Sequence, residues 1–228
     1  LIKDASALEN MRKVNALVID KTGTLTIPNP NIDFTKADNI PFEEREQLKP
    51  NAAKAMARLK EEGIDVFMMS GDKEAAAHYW AEKTGIVHYK SEVRPDDKQK
   101  LVSQLQQEGK IVAMVGDGIN DTQALATADV GIAIGRGTDV AMDVAQVTLM
   151  GNDLMALPEA VNMSRRTVRM IWQNLFWAFI YNLVCIPLAA GALYLFDINF
   201  QITPMWASAL MAFSSVSVVL NSLRLKWL

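Results

Sequence analysis

Three polar clusters, each standing directly after an apolar run, carry residues suited to phosphate chemistry. They are Asp20-Lys21-Thr22-Gly23-Thr24-Leu25-Thr26, Ser70-Gly71-Asp72 and Gly116-Asp117-Gly118-Ile119-Asn120-Asp121, with Lys98 in a helical pattern between the last two. A carboxylate that attacks a phosphoryl group needs its own charge and that of the phosphate neutralised. A divalent cation held by acidic neighbours, together with a lysine, can do this. Asp20, Asp117, Asp121 and Lys98 supply those parts. Ser70 offers a hydroxyl, and Gly23, Gly71, Gly116 and Gly118 let backbone amides come close to phosphate oxygens.

Such clusters work only if strand ends bring them together. Val14 to Asp20, Ile64 to Ser70, Lys110 to Val115 and Val130 to Ile134 read as buried parallel strands. Asn51 to Glu62 and Asp96 to Glu108 read as amphipathic helices, each stopped by a glycine, Gly63 or Gly109. This alternation predicts an α/β fold with a doubly wound parallel sheet, whose ligands bind at the carboxyl ends of the strands. Asn29 to Pro50, rich in Asn, Pro and charge, reads as an irregular insertion or crossover.

The set DKTGTLT, SGD, a P-x-x-K lysine and GDGIND resembles the phosphorylation domain of P-type ATPases, within the haloacid dehalogenase superfamily. The resemblance implies that Asp20 forms an aspartyl phosphate, with ATP as phosphoryl donor. It implies that Mg²⁺ is held by Asp20, the Thr22 carbonyl and Asp117, and that Ser70, Lys98 and Asn120 contact the phosphate. Lys21, Gly71, Asp72 and Asp121 belong to the same catalytic motifs. Hydrolytic relatives carry a second aspartate two residues after the nucleophile, acting as general acid and then as base for water. Thr22 stands there instead, which predicts a longer-lived acyl phosphate, suited to a conformational cycle.

Charge is spread along the chain up to about Arg169, whereas from Met170 to Leu223 the one acidic or basic side chain is Asp197. The shift predicts a domain over 1–165 and a transmembrane hairpin over 166–228, with spans of about 175–196 and 204–223. The bland alternative is a pair of buried helices in a soluble core. Arg165, Arg166 and Arg169 before the first span, with Arg224 and Lys226 after the second, place both outer ends in the cytoplasm, most simply at a plasma (inner) membrane. Trp172, Trp177, Trp206 and Trp227 fall near the span ends, as interfacial anchors do.

Tyr181-Asn182 in one span and Met-x-x-Ser-Ser, Met211 to Ser215, in the other resemble the last two membrane helices of copper-transporting members. The resemblance implies that Tyr181, Asn182, Met211 and Ser215 line a site for the transported ion, Cu(I), to which thioether sulfur is suited. The alternative is that Met211 is packing filler and the serines let helices approach. Cys185 is a further soft ligand or a packing residue, while His78 and His88 read as solvated surface.

The remaining composition excludes other classes. A net charge of −3 over 228 residues, with no basic stripe, argues against nucleic acid as partner. One cysteine allows no intramolecular disulfide, zinc finger or CxxC motif. The chain starts without Met, and only Ile27 to Met69 separates the first two motifs, where family members carry a separate nucleotide domain. That domain is expected to be absent or much reduced. The His-Pro pair, the Thr-Gly-Glu loop and the paired-cysteine helix of the family are missing too. The sequence thus reads as the C-terminal part of a P-type pump that lacks its upstream parts. The other reading is a truncated, non-transporting paralogue that binds metal or a partner without turnover.

Overall fold

The computed structural model describes residues 1–31, 40–135, 139–189 and 204–224. The chain divides into two compact units, Leu1–Ser164 and Arg165–Leu228. The predicted loop around Asp197, the end of the first span, Lys226 and Trp227 lie outside the described residues, as does part of the Asn29 to Pro50 segment.

In the first unit the strands are β1 (Ala16–Asp20), β2 (Thr26–Pro28), β3 (Glu46–Leu48), β4 (Asp65–Met69), β5 (His88–Lys90), β6 (Val112–Gly116), β7 (Val130–Ile134) and β8 (Val147–Leu149). Its helices are α1 (Ala5–Met11), α2 (Phe42–Arg45), α3 (Ala52–Glu61), α4 (Glu74–Thr84), α5 (Pro95–Gln107), α6 (Thr122–Thr127) and α7 (Asp139–Val144). Six strands form one parallel sheet in the order β5-β4-β1-β6-β7-β8.

The apolar runs are continuous because both faces of the sheet are covered. Leu17 and Ile19 of β1 pack with Ala55 and Leu59 of α3 and Trp80 of α4. Ala16 and Val18, pointing the other way, pack with Val102 and Leu105 of α5 and Leu125 of α6. The doubly wound sheet expected from the sequence is therefore present. With β4 on one side and β6 on the other, β1 sits where the winding reverses, the position at which open α/β sheets bind ligands.

The segment read as irregular is partly regular. Glu46, Gln47 and Leu48 pair antiparallel with Pro28, Ile27 and Thr26. Three-residue strands carry too few residues for an alternating pattern to show.

The second unit contains most of α8 (Ala156–Ala189), which starts in the first, and all of α9 (Pro204–Leu223). The α8 stretch 156–188 is long and apolar enough to cross a bilayer, and is the one such helix among the described residues. It begins well before the predicted start at Leu175, because Leu157 and Val161 are anchored in the core of the first unit. Pro187 lies inside it and removes one intrahelical hydrogen bond. The apolar part of α9 is shorter, Ser208–Leu223.

Asp129 pins the start of β6: its Oδ2 accepts from the Val112 backbone N–H at 2.8 Å and from Gln106 Nε2 at 3.2 Å. Asp129→Ala leaves a buried donor unpaired, so a loss of about 1–3 kcal/mol is expected in urea unfolding followed by far-UV circular dichroism. A loss below about 0.5 kcal/mol would show that Val112 finds another acceptor.

Candidate functional site

Asp20 is the last residue of β1, and Asp117 follows the last residue of β6, the adjacent strand. Asp121 ends the single turn of 3₁₀ helix, Ile119–Asp121, that leads into α6. The shared strand-end position therefore gathers three carboxylates: one oxygen from each of Asp20, Asp117 and Asp121 lies within 4.8 Å of the others. Lys98 enters from the first turns of α5 and donates to Asp20 Oδ1 at 2.6 Å and to Asp121 Oδ1 at 2.7 Å. All three of these residues are buried, with Asp20 8 %, Lys98 7 % and Asp121 2 % exposed.

Two glycines make the gathering possible. Gly23 has φ +77°, in the left-handed region that favours glycine, and a Cβ there would stand 1.9 Å from Asp117 Oδ2. A Cβ on Gly116 would stand 2.5 Å from Asp121 Oδ2. Any larger residue at either position would occupy the space of a site carboxylate.

The charges do not balance locally. Burial, and then the nearby charge of Asp121, push the Asp20 carboxyl up to about 7, against the opposing pull of Lys98. Asp117 is raised as well, again chiefly by burial and then by Asp121. Burial pulls Lys98 down, but the charges of Asp20 and Asp121 outweigh it and leave its ammonium above the usual lysine range. This is a donor set of hard oxygens with more negative charge than one lysine neutralises, and it fits a hard divalent cation such as Mg²⁺. The residues in reach are Asp20, Asp117 and Asp121.

The other residues singled out from the sequence fall into two groups. Ser70 is fully buried at the end of β4, and its Oγ accepts from the Asp72 N–H at 3.1 Å. Thr22 and Asn120 are exposed beside the cluster in sequence. Lys21, by contrast, does not join the carboxylates: its Nζ pairs with Glu46 and, at 2.6 Å, with Asp72. At Gly71, between Ser70 and Asp72, a Cβ would make an ordinary contact with Val93 O at 3.7 Å.

Two participants escaped the sequence reading. Glu46 accepts from Thr26 Oγ1 at 2.9 Å as well as pairing with Lys21. Lys49, only 4 % exposed, has its ammonium lowered by burial, partly offset by the charge of Asp117. Both lie in the Asn29 to Pro50 segment, where dense charge reads as solvated loop, so no local signal marked them.

In the second unit, α8 and α9 bring Tyr181, Asn182, Cys185, Met211, Ser214 and Ser215 to the wall of one pocket of about 230 Å³. Asn182 Nδ2 donates to Ala178 O at 2.9 Å and Ser215 Oγ to Met211 O at 3.2 Å, so each makes a bond within its own helix. His78 and His88 are exposed, and His88 stacks on Phe67 with ring centres 5.0 Å apart.

The family model for haloacid dehalogenase-like hydrolases matches residues 32–129. PacS of Synechocystis, described as a probable copper-transporting ATPase, is 53% identical over 180 residues, covering 78% of this chain and 24% of that protein. A copper-exporting P-type ATPase of Legionella pneumophila is 35% identical over 327 aligned positions, covering 99% of this chain and 44% of the relative. Among solved structures, a zinc-transporting PIB-type ATPase in its E2.Pi state superimposes with a TM-score of 0.80 at 24% identity, over 99% of this chain and 52% of that one. The chain thus spans 24% and 44% of the length of these two relatives. With Asp20 at its strand end, Lys98 and the acidic cluster placed together on this fold, the chain is homologous to the copper-transporting P-type ATPases over 78% or more of its length.

Proposed function

We propose that this chain is the phosphorylation domain and a membrane portion of an ATP-driven pump that moves Cu(I) across a bilayer. The observation that carries the reading is Asp20, buried at the centre of the sheet and held by Lys98 next to Asp117 and Asp121. In the proposed cycle an oxygen of the Asp20 carboxylate attacks the γ-phosphorus of ATP. The bond from that phosphorus to the bridging oxygen breaks, ADP leaves, and water later releases phosphate from the aspartyl group.

Lys98 holds the attacking carboxylate in place and sets positive charge where the phosphoryl oxygens arrive. Asp20, Asp117 and the Thr22 carbonyl would hold Mg²⁺, which supplies the remaining positive charge. Ser70 and Asn120 would contact the phosphate. With Thr22 where a hydrolase has its second aspartate, no side chain two residues from Asp20 can act as a base for water, so the intermediate persists.

The pocket between α8 and α9 is the proposed cargo site, with Tyr181, Asn182, Met211 and Ser215 as its ligands. The apolar α8, the arginines at 165, 166, 169 and 224, and the membrane ATPases among the relatives support an integral membrane protein with its phosphorylation domain in the cytoplasm. A second reading, a non-transporting paralogue, rests on the Legionella alignment. It runs over 327 positions against a chain of 228 residues, so at least 99 positions of that alignment (327 minus 228) have no counterpart here. A missing nucleotide domain accounts for a gap of that kind.

Asp20→Asn is expected to abolish acid-stable, hydroxylamine-sensitive phosphate labelling of the chain in membranes; labelling that survives removes Asp20 as nucleophile. Copper-stimulated ATP hydrolysis by the chain in liposomes would exclude the paralogue reading. The Asp20 carboxyl, at about 7 when folded against 3.8 free, binds its proton more tightly in the folded state. Its contribution to stability is therefore fully present below about pH 4 and lost as pH rises through about 7. In buffer with chelator, Asp20→Asn should unfold at higher temperature than the parent at pH 8, and the gap should close towards pH 4. A gap independent of pH would show that Asp20 is not held protonated. Met211→Leu, which keeps volume and removes sulfur, should weaken Cu(I) binding at least tenfold in a chelator competition; equal affinity would favour the packing role.

A further inference from the structure

Half-buried positions along α8 include Asn174, Ala178, Tyr181, Cys185 and Leu188, and along α9 Leu210, Ser214, Ser217 and Asn221. Both series advance by alternating steps of four and three residues, the 3.5-residue period of two helices wound around a common seam. In lipid such a seam has little to set its register, because sliding by one turn exchanges apolar contacts for equivalent ones. Directional hydrogen bonds can set it.

Among the described residues, no hydrogen bond crosses the seam from the pocket's Asn182 or Ser215. Asn182, Ser215 and also Ser217 donate to carbonyls four residues back in their own helices. Bonds across the seam occur at the other end. Asn221 Nδ2 donates to Asn174 Oδ1 at 2.8 Å, and Asn174 Nδ2 donates to Ser222 Oγ at 2.8 Å. Asn174 thus spends its acceptor and its donor on two successive residues of α9. It lies seven residues, two turns, before Tyr181, and Asn221 lies seven residues after Ser214. Two turns along the seam from this clasp, Tyr181 and Ser214 meet at the pocket.

We infer that Asn174, Asn221 and Ser222 form a register clasp: positioning residues that align Tyr181, Asn182 and Cys185 of α8 with Met211, Ser214 and Ser215 of α9. A one-turn slip would bring Ser214 opposite Cys185 in place of Leu210 and take Met211 away from Asn182. The consequence for metal binding rests on the proposed cargo site; the register itself does not.

The test uses the native Cys185. In the full chain in membranes, Leu210→Cys should form a disulfide with Cys185 under molecular iodine, and Ser214→Cys should do so far more slowly. Adding Asn174→Leu and Asn221→Leu is expected to lower the rate at position 210 about eightfold relative to position 214, the weight of two interhelical hydrogen bonds in a membrane. An unchanged ratio would overturn the clasp. Should the double leucine variant fail to accumulate, Ser222→Ala removes one bond. It should change the ratio about threefold, and no change there overturns the proposal equally. A shifted ratio with unaltered Cu(I) affinity supports the clasp and counts instead against the pocket as the copper site.

Discussion

Three carboxylates crowded within 4.8 Å against a single ammonium group are the constraint on which the first unit is built. Inside a protein, where charge is poorly screened, such a group resists ionisation, and the upward displacement of Asp20 and Asp117 expresses that resistance. The arrangement is unfavourable to the fold on its own. It becomes favourable when positive charge arrives, which is how a site can bind a cation and an anionic substrate together while holding neither permanently. The buried Lys49, whose charge is felt at Asp117, is part of the same compensation.

The sheet makes this tolerable by rigidity. Asp20 leaves a strand whose five residues are all buried and which is paired on both sides, so its carboxylate cannot swing out to water without disturbing β4 or β6. Gly23 and Gly116 remove the side chains that would have filled the space taken by Asp117 and Asp121. The acidic cluster is therefore specified twice, by the residues that carry charge and by those that carry none.

Much of this was legible in the residues alone. The central strands are apolar throughout because they are buried on both faces, and polar clusters directly after them mark the functional edge. Asp20, Asp117 and Asp121 stand there, while Lys98 was marked by the P-x-x-K motif at the start of a helix. What stayed hidden has a common physical reason. β2, β3, β5 and β8 are three residues long, and a pattern with period two cannot declare itself in three residues. Glu46 and Lys49 are buried by tertiary packing from a segment whose composition is that of a solvated loop. Lys21, adjacent to Asp20 and in the same motif, was grouped with the catalytic residues. Its ammonium is instead engaged by Glu46 and Asp72, since neighbouring side chains at a strand end point apart.

That divergence at Asp20-Lys21 has a mechanical side. Lys21, 1 % exposed, ties the backbone next to Asp20 to Glu46 on β3, while Thr26 on β2 bonds the same Glu46 carboxylate. The two-stranded ribbon of β2 and β3 is thereby one peptide unit and one buried ion pair from the Asp20 carboxylate. Displacing the ribbon requires either that this pair part, leaving the buried ammonium to Asp72 alone, or that Asp20 itself be dragged. Motion at β3 therefore has a short, stiff tether to Asp20.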